Sequence, residues 1–225
     1  MTCDVIATGS KGNAVVLDGC ILLDCGVPYR MIEPYARDLR LVLLTHVHGD
    51  HFNPPTLRRL SKERPTLRFG CGPWLVQPLL TAGIPITKID VYTEEIGYCY
   101  GRVSDYTDKI GYCDGAVSVE MFPLVHDVEN CGYRIKIGEE RAFYATDTFT
   151  LDGIYARGYD LYMIESNHTE AEIAERIQRK LEAGEFVYEY RAAAGHLSRE
   201  KADAWLAENA TPGKSRVAYL HKHTD

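Results

Sequence analysis

The sequence predicts an α/β fold (α+β in some schemes), and three observations carry that reading. Short apolar runs of strand composition alternate with stretches of helical period along most of the chain. Five of those runs lead within a few residues to an acid or a histidine: Leu41–Leu44 to His46, Val117–Phe122 to His126, Arg141–Ala145 to Asp147, Leu161–Ile164 to Glu165, and Val217–Leu220 to His221. Ligands in open α/β proteins gather at strand ends, so one shared site at a sheet edge accounts for the repetition. Third, 225 residues at 45% hydrophobic content are ample for one sizeable core, whereas two full domains would be cramped. Residues 1–225 are therefore read as a single domain.

The elements follow in order. Cys3–Thr8 and Ala14–Leu17 are rich in strand formers, with the glycine-bracketed turn Gly9-Ser10-Lys11-Gly12-Asn13 between them. Ile21–Asp24 is a third strand, stopped by Cys25-Gly26. Pro28 suits a first helical turn, with Met31, Ile32 and Tyr35 on one face. Leu41–Leu44 is a buried strand, and Pro54 and Pro55 open a helix through Leu57 and Leu60 whose Arg58, Arg59, Lys62 and Arg64 form a solvated face. Thr66–Phe69 is a strand, and Trp74 to Leu80 a helix disturbed by Pro78. From Tyr92 to Gly115 no period is sustained, and an extended hairpin, a lid and a dimer contact all stay open.

Beyond it, Val117–Phe122 alternates as a half-buried strand, and Cys131–Ile137 and Arg141–Ala145 flank a turn at Gly138. Thr169-x-x-Glu172 is a capping box for a helix with Ile173, Ile177 and Leu181 on one face and a stop at Gly184. Ser198 caps a second helix that carries Ala202, Trp205 and Leu206 inward. Two helices are thus expected before the last strand.

Charge and cysteine content narrow the function classes. The formal net charge of -7 offers no global field for coating a duplex, although bound metal can make a cleft locally positive. Seven scattered cysteines without a Cys-x-x-Cys pair indicate neither a disulfide framework nor a thiolate zinc ribbon. With no signal peptide and no apolar run long enough to span a bilayer, the expectation is a cytoplasmic protein that does not engage membranes.

The stretch Thr45-His46-Val47-His48-Gly49-Asp50-His51 concentrates three imidazoles and a carboxylate where a strand gives way to a helix. Side chains of this type so close together need a cation to balance them, and zinc, manganese and iron all accept such mixed ligation. His196 precedes a helix N-terminus, where partial positive charge favours an anion. Lys11 and Asn13 are candidates to reach a substrate phosphate, though the loop also serves as a turn. Arg191 and Lys222, close in sequence to His196 and His221, are further candidates, with solvated surface as the simpler account.

His46-x-His48-x-Asp50-His51 with the later His126, Asp147 and His221 resembles the full ligand set of the metallo-β-lactamase superfamily. The resemblance spans essentially the whole chain and implies a four-layer αβ/βα sandwich with metals at one sheet edge. It implies one ion on His46, His48 and His126, a second on Asp50, His51 and His221, and Asp147 between them. Gly9–Asn13, Leu23–Gly26, Glu165-Ser166-Asn167-His168, Gly195–Ser198 and Tyr219–His221 are similar to signature stretches of the WalJ (YycJ) nuclease branch. That branch is put forward as single-strand DNA exonucleases. Glu165 and His196 also resemble the Glu and His of two auxiliary motifs of tRNase Z, which assist proton transfer at the scissile phosphate. The chain lacks the long Gly/Pro-rich arm with which tRNase Z grips tRNA.

Such a site implies two divalent ions, zinc first, with manganese or iron as alternatives. About 3.5–4 Å apart, two ions can lower the pKa of a shared water toward about 7. Asp50 would orient that hydroxide, and His196, held by Glu165, would act as general acid. The resulting expectation is a metal-dependent phosphodiesterase, chiefly an exonuclease on single-stranded DNA or RNA, with His168 among the substrate contacts. Two alternatives accompany it: a small-molecule hydrolase of the same fold (cyclic nucleotide, thioester, lactone or other small phosphodiester) and a non-catalytic metal-binding module. Homodimer or monomer stays open.

Overall fold

A computed structural model describes residues 1–93 and 117–222. The first half builds a sheet from β1 (Cys3–Ala7), β2 (Ala14–Leu17), β3 (Ile21–Leu23), β4 (Leu41–Leu44), β5 (Arg68–Cys71) and β6 (Ile89–Val91), in that spatial order. β1, β2 and β3 pair antiparallel, and β3 to β6 run parallel. The second sheet contains β7 (Val117–Leu124), β8 (Asn130–Ile137), β9 (Glu140–Ala145), β10 (Leu161–Glu165) and β11 (Arg216–Leu220), ordered β11-β10-β9-β8-β7. β9, β10 and β11 are parallel, and β7 is an edge, which is where its Pro123 is tolerated.

Period-two alternation shows how the layers stack. In β4, Val42 and Leu44 pack outward with α1 (Tyr29–Ala36) and α2 (Pro54–Glu63), while Leu41 and Leu43 face Tyr133, Tyr144 and Met163 of the other sheet. In β10 the roles mirror: Leu161 and Met163 join the inter-sheet core, and Tyr162 and Ile164 pack outward on Trp205 and Leu206 of α6 (Arg199–Asn209). Both faces of each central strand are covered, which is why these strands read as unbroken apolar runs rather than alternating ones. The molecule is an αβ/βα sandwich, as expected.

Differences from the expected elements are local. β5 begins two residues later than the strand read at Thr66, because Leu67 folds into the core before pairing starts. The helix at Trp74 splits into a tight turn, Pro73–Leu75, and α3 (Val76–Thr81). β6, only three residues long, was not anticipated; a strand that short lacks a detectable period. α4 (Glu170–Ala183) carries the expected capping box and a left-handed Gly184, but Leu181 is 53% exposed, so its apolar stripe stops short.

A third helix, α5 (Glu189–Gly195), stands between α4 and α6. Its Arg-Ala-Ala-Ala run has high helix propensity, a signal available in the sequence. Lys180 of α4 holds it through a 2.7 Å ion pair to the buried Glu189. The Tyr92–Gly115 stretch lies, beyond residue 93, outside the described residues.

Cys3, Cys25, Cys71 and Cys131 are free thiols, whereas Cys20 is disulfide-bonded. Burial pushes the Cys25 and Cys131 thiols up, and that of Cys71 up to about 12. Cys3 is only partly buried. Iodoacetamide near pH 8 is therefore expected to modify Cys3 in the native protein, and Cys25, Cys71 and Cys131 only after denaturation. Peptide mapping before and after urea checks this; native labelling of Cys71 would contradict the packing of β5.

Candidate metal centre

The loop after β4 is fixed by three backbone hydrogen bonds before any ligand enters. Asn13 donates its backbone N–H to the Asp50 carbonyl at 2.6 Å, Cys25 donates to the His51 carbonyl at 2.9 Å, and Asn53 donates to the Cys25 carbonyl at 2.8 Å. Gly26 is obligatory here, since a Cβ on it would lie 1.7 Å from the Asp50 carbonyl oxygen. At the strand end, Tyr133 and Trp74 donate to the carbonyls of Leu44 and Thr45 at 2.5 and 3.1 Å. Tyr133 of β8 thus ties the second sheet to the first where the histidines begin, and Trp74 braces the same point from the first sheet's own side.

Four non-glycine residues among those described have positive φ, and three are in this site: Asp24 (55°), Asp147 (53°) and His221 (53°). Left-handed backbone costs an ordinary residue on the order of 1–3 kcal/mol. Here it follows strands β3, β9 and β11 and turns each side chain back over the sheet edge. His51 Nε2 lies 2.8 Å from Asp147 Oδ2 and 3.6 Å from Asp50 Oδ2, and His221 Nδ1 lies 3.1 Å from Asp147 Oδ2. His126 Nε2 is 3.3 Å from His48 Nδ1 and 4.0 Å from Asp147 Oδ1.

Overlapping sets of possible ligand atoms, each within 4.8 Å of one another, comprise His46, His48 and His126; Asp50, His51 and His221; His46, His51 and Asp147; and Asp147, Glu165, His196 and His221. All seven residues of the expected ligand set come together.

The donor chemistry fits a cation. His46 Nε2 and His126 Nδ1 are buried without a hydrogen-bond partner, and His221 Nδ1 has only the Asp147 carboxylate beside it. An orphaned buried nitrogen costs about 1–3 kcal/mol, and metal coordination is the interaction that removes the cost for several at once. Burial, and then the charge of His51, drop the pKa of His46 to about 2, so its imidazole is neutral and its lone pair available. Burial works against ionisation of Asp147, but His51 and His221 outweigh it and hold the carboxyl well below its usual range. His46 thus offers a neutral imidazole beside an ionised Asp147, the pairing zinc and its neighbours bind. His51, whose pKa burial opposes but Asp147 and Asp24 raise well above the ordinary value, would release its proton on binding a metal.

Glu165 and His196 form a second unit beside Asp147. Glu165 is fully buried, and its Oε2 accepts the backbone N–H groups of Thr148 at 2.8 Å and Leu197 at 3.2 Å. Its Oε1 sits 2.5 Å from His196 Nδ1, which is 3.6 Å from Asp147 Oδ1. Burial alone would lower the His196 pKa, but the hydrogen bond and charge of Glu165, with Asp147 and Asp50, raise it to about 9. The imidazolium is the form this environment favours.

The remaining expected residues separate. Asn13 is 4% exposed, and its amide nitrogen lies 2.7 Å from His51 Nε2 and 3.3 Å from Asp50 Oδ2, so it faces the ligands rather than solvent. His168 is buried against Asn167. Lys11 is exposed and outside the clusters, whereas Arg191 lines a cleft of about 640 Å³ that also takes in His126, His196 and His221.

Sequence reasoning passed over Asp24. It is fully buried, lies 2.8 Å from His51 Nδ1, and accepts from Tyr144 Oη at 2.8 Å and from Thr45 N and Oγ1 at 2.9 and 3.0 Å. Its place at a strand end, like the five acids and histidines already noted, was the available signal.

A family model described as a beta-lactamase superfamily domain matches residues 20–221. The chain belongs to the beta-lactamase superfamily. Among solved structures, this superfamily domain is similar to the metallo-beta-lactamase fold protein YhfI from Bacillus subtilis, at 16% identity over 99% of this chain and 86% of that one (TM-score 0.67). It is similar to the short form of human tRNase Z at 15% identity over 100% and 93% (TM-score 0.68). It also resembles a diphosphatase of the PhnP family at 16% identity over 98% and 85% (TM-score 0.59). These likenesses establish the fold. No curated protein matches in sequence, and no described helix is long and apolar enough to cross a membrane.

Proposed function

We propose that this superfamily domain is a metal-dependent phosphodiesterase that removes nucleotides from single-stranded DNA or RNA ends, allied to the WalJ (YycJ) branch. One divalent ion, zinc or else manganese or iron, would be held by His46, His48 and His126. Another would be held by Asp50, His51 and His221, with Asp147 shared. Such ions neutralise charge on phosphoryl oxygens and lower the pKa of water.

The observation that carries the reading is the Glu165–His196 pair, buried on the Glu165 side and abutting Asp147. Glu165 occupies Nδ1 and fixes the ring, which leaves Nε2 to hand a proton to the departing oxygen. The raised pKa keeps that proton in place at neutral pH. Asp50, at 22% side-chain exposure the more open of the two ligand carboxylates, is suited to orient the attacking water.

A small-molecule phosphodiesterase is the second reading. The cleft volume, about 640 Å³, falls within the range typical of small-ligand pockets, about 300–1,000 Å³. Competition separates the two: an end-labelled single strand should be degraded, and cyclic nucleotides or bis(p-nitrophenyl) phosphate should inhibit only at much higher concentration. Chelation should abolish degradation, and added zinc or manganese should restore it. Metal-replete protein that leaves every phosphodiester intact would return the chain to the thioester or lactone hydrolase and non-catalytic binding readings, which ester substrates then separate.

A further inference from the structure

The mechanism leaves part of the cleft lining unused. Besides the histidines, Val125, Phe149, Tyr188 and Arg191 line it. Phe149 and Tyr188 are 37% and 40% exposed. Both are held in place. The Phe149 backbone N–H donates to the Val125 carbonyl at 2.9 Å, which ties the segment after β9 to the loop that carries His126. Lys201 Nζ stands 4.1 Å from the centre of its ring. Lys180 Nζ stands 3.9 Å from the centre of the Tyr188 ring, and the same ammonium is paired with buried Glu189 at the start of α5.

We infer that this part of the lining is a nucleoside subsite, in which Phe149 and Tyr188 stack a base on the leaving-group side of the scissile phosphate while Arg191 contacts that nucleotide's phosphate. The inference rests on the phosphodiesterase reading and names the part of the strand that the site grips. Every base presents a π-face, so two rigid aromatics beside one cation recognise nucleotides without regard to sequence. A purely aliphatic occupant would leave Arg191 and the facing histidines unmatched. The cleft is sized for about one nucleotide, and the net charge of -7 disfavours a longer duplex footprint. His196 lines the same cleft, so the group it protonates is the one the subsite receives.

The test uses metal-replete enzyme and paired single-stranded oligonucleotides whose terminal linkage is flanked by a normal nucleotide or by a tetrahydrofuran abasic residue, placed on either side of that linkage. A stacked base contributes about 1–3 kcal/mol, so kcat/KM should fall about 5–150-fold when the leaving-side base is removed. Removal from the other side should matter less. Tyr188→Leu and Phe149→Leu should each shrink the ratio of base-bearing to abasic cleavage toward one. Phe186→Leu, at a ring 81% exposed and outside the cleft, should keep it. Because the ratio is taken within one protein, loss of folded enzyme cancels. Equal cleavage of base-bearing and abasic strands by the unmodified enzyme, or a ratio that survives both Leu variants, would overturn the subsite and leave the hydrolase intact. Failure to cleave either strand would remove the nuclease reading and the subsite with it.

Discussion

His196→Ala is expected to lower kcat by about 10²–10⁴-fold, the usual range for a removed general acid, while the metal content of the purified protein stays the same. The separation of these two readouts is what gives the experiment force. His196 belongs to a set with Asp147, Glu165 and His221 that is compact enough to hold an ion, so geometry alone allows it to be a ligand. Its Nδ1 is taken by Glu165 at 2.5 Å, which leaves Nε2 for either role, so metal content decides between them. Loss of bound metal in the variant would make His196 a ligand and end its role as acid.

Glu165→Gln gives the companion result. The raised pKa of His196 depends on that carboxylate against the opposing effect of burial. A raised pKa means the proton is present below it and lost above it, so the alkaline limb of kcat should move to lower pH in the variant. A limb that stays in place would show that another group titrates there.

Asp24→Asn is expected to weaken metal binding by about 10–100-fold, the usual effect of changing a group that orients a ligand histidine. It should also destabilise the protein, by about 3–5 kcal/mol if it acts as the breaking of a buried charge pair. Asp24 receives hydrogen bonds from Tyr144 Oη, Thr45 N and Thr45 Oγ1, and faces His51 Nδ1. Four polar groups therefore converge on one carboxylate with no access to water. An amide replaces one acceptor oxygen with a donor that meets hydrogens already pointing inward. Tyr144→Phe, which removes one of those donors and keeps the rest, should have a much smaller effect on both readouts. Titration with zinc followed by denaturant unfolding of apo and loaded protein measures the two. An Asp24→Asn protein with unchanged affinity would show that His51 is oriented by Asn13 and Asp147 instead.

What local sequence determined is the character of each element and the chemical types gathered at strand ends. Leu41–Leu44 announced a strand covered on both faces because both of its pleated sides are apolar, and the structure covers both. Thr169 and Glu172 announced a helix start because a cap is a contact between residues three apart. His46, His48, Asp50 and His51 announced a metal-type cluster because their spacing confines them to one loop.

Tertiary structure decided everything that depends on residues distant in the chain. Tyr144 reaches Asp24 across 120 positions of sequence, from the opposite sheet, and nothing near either residue signals the pairing. The left-handed turns at Asp24, Asp147 and His221 aim side chains over a shared edge, an arrangement that exists only once the two sheets stack. The cleft likewise takes Phe149, after β9, and Tyr188, at the start of α5, into one lining. Periodicity reports which side of an element is buried; it carries no information on which buried side it meets, and the site is made of those meetings.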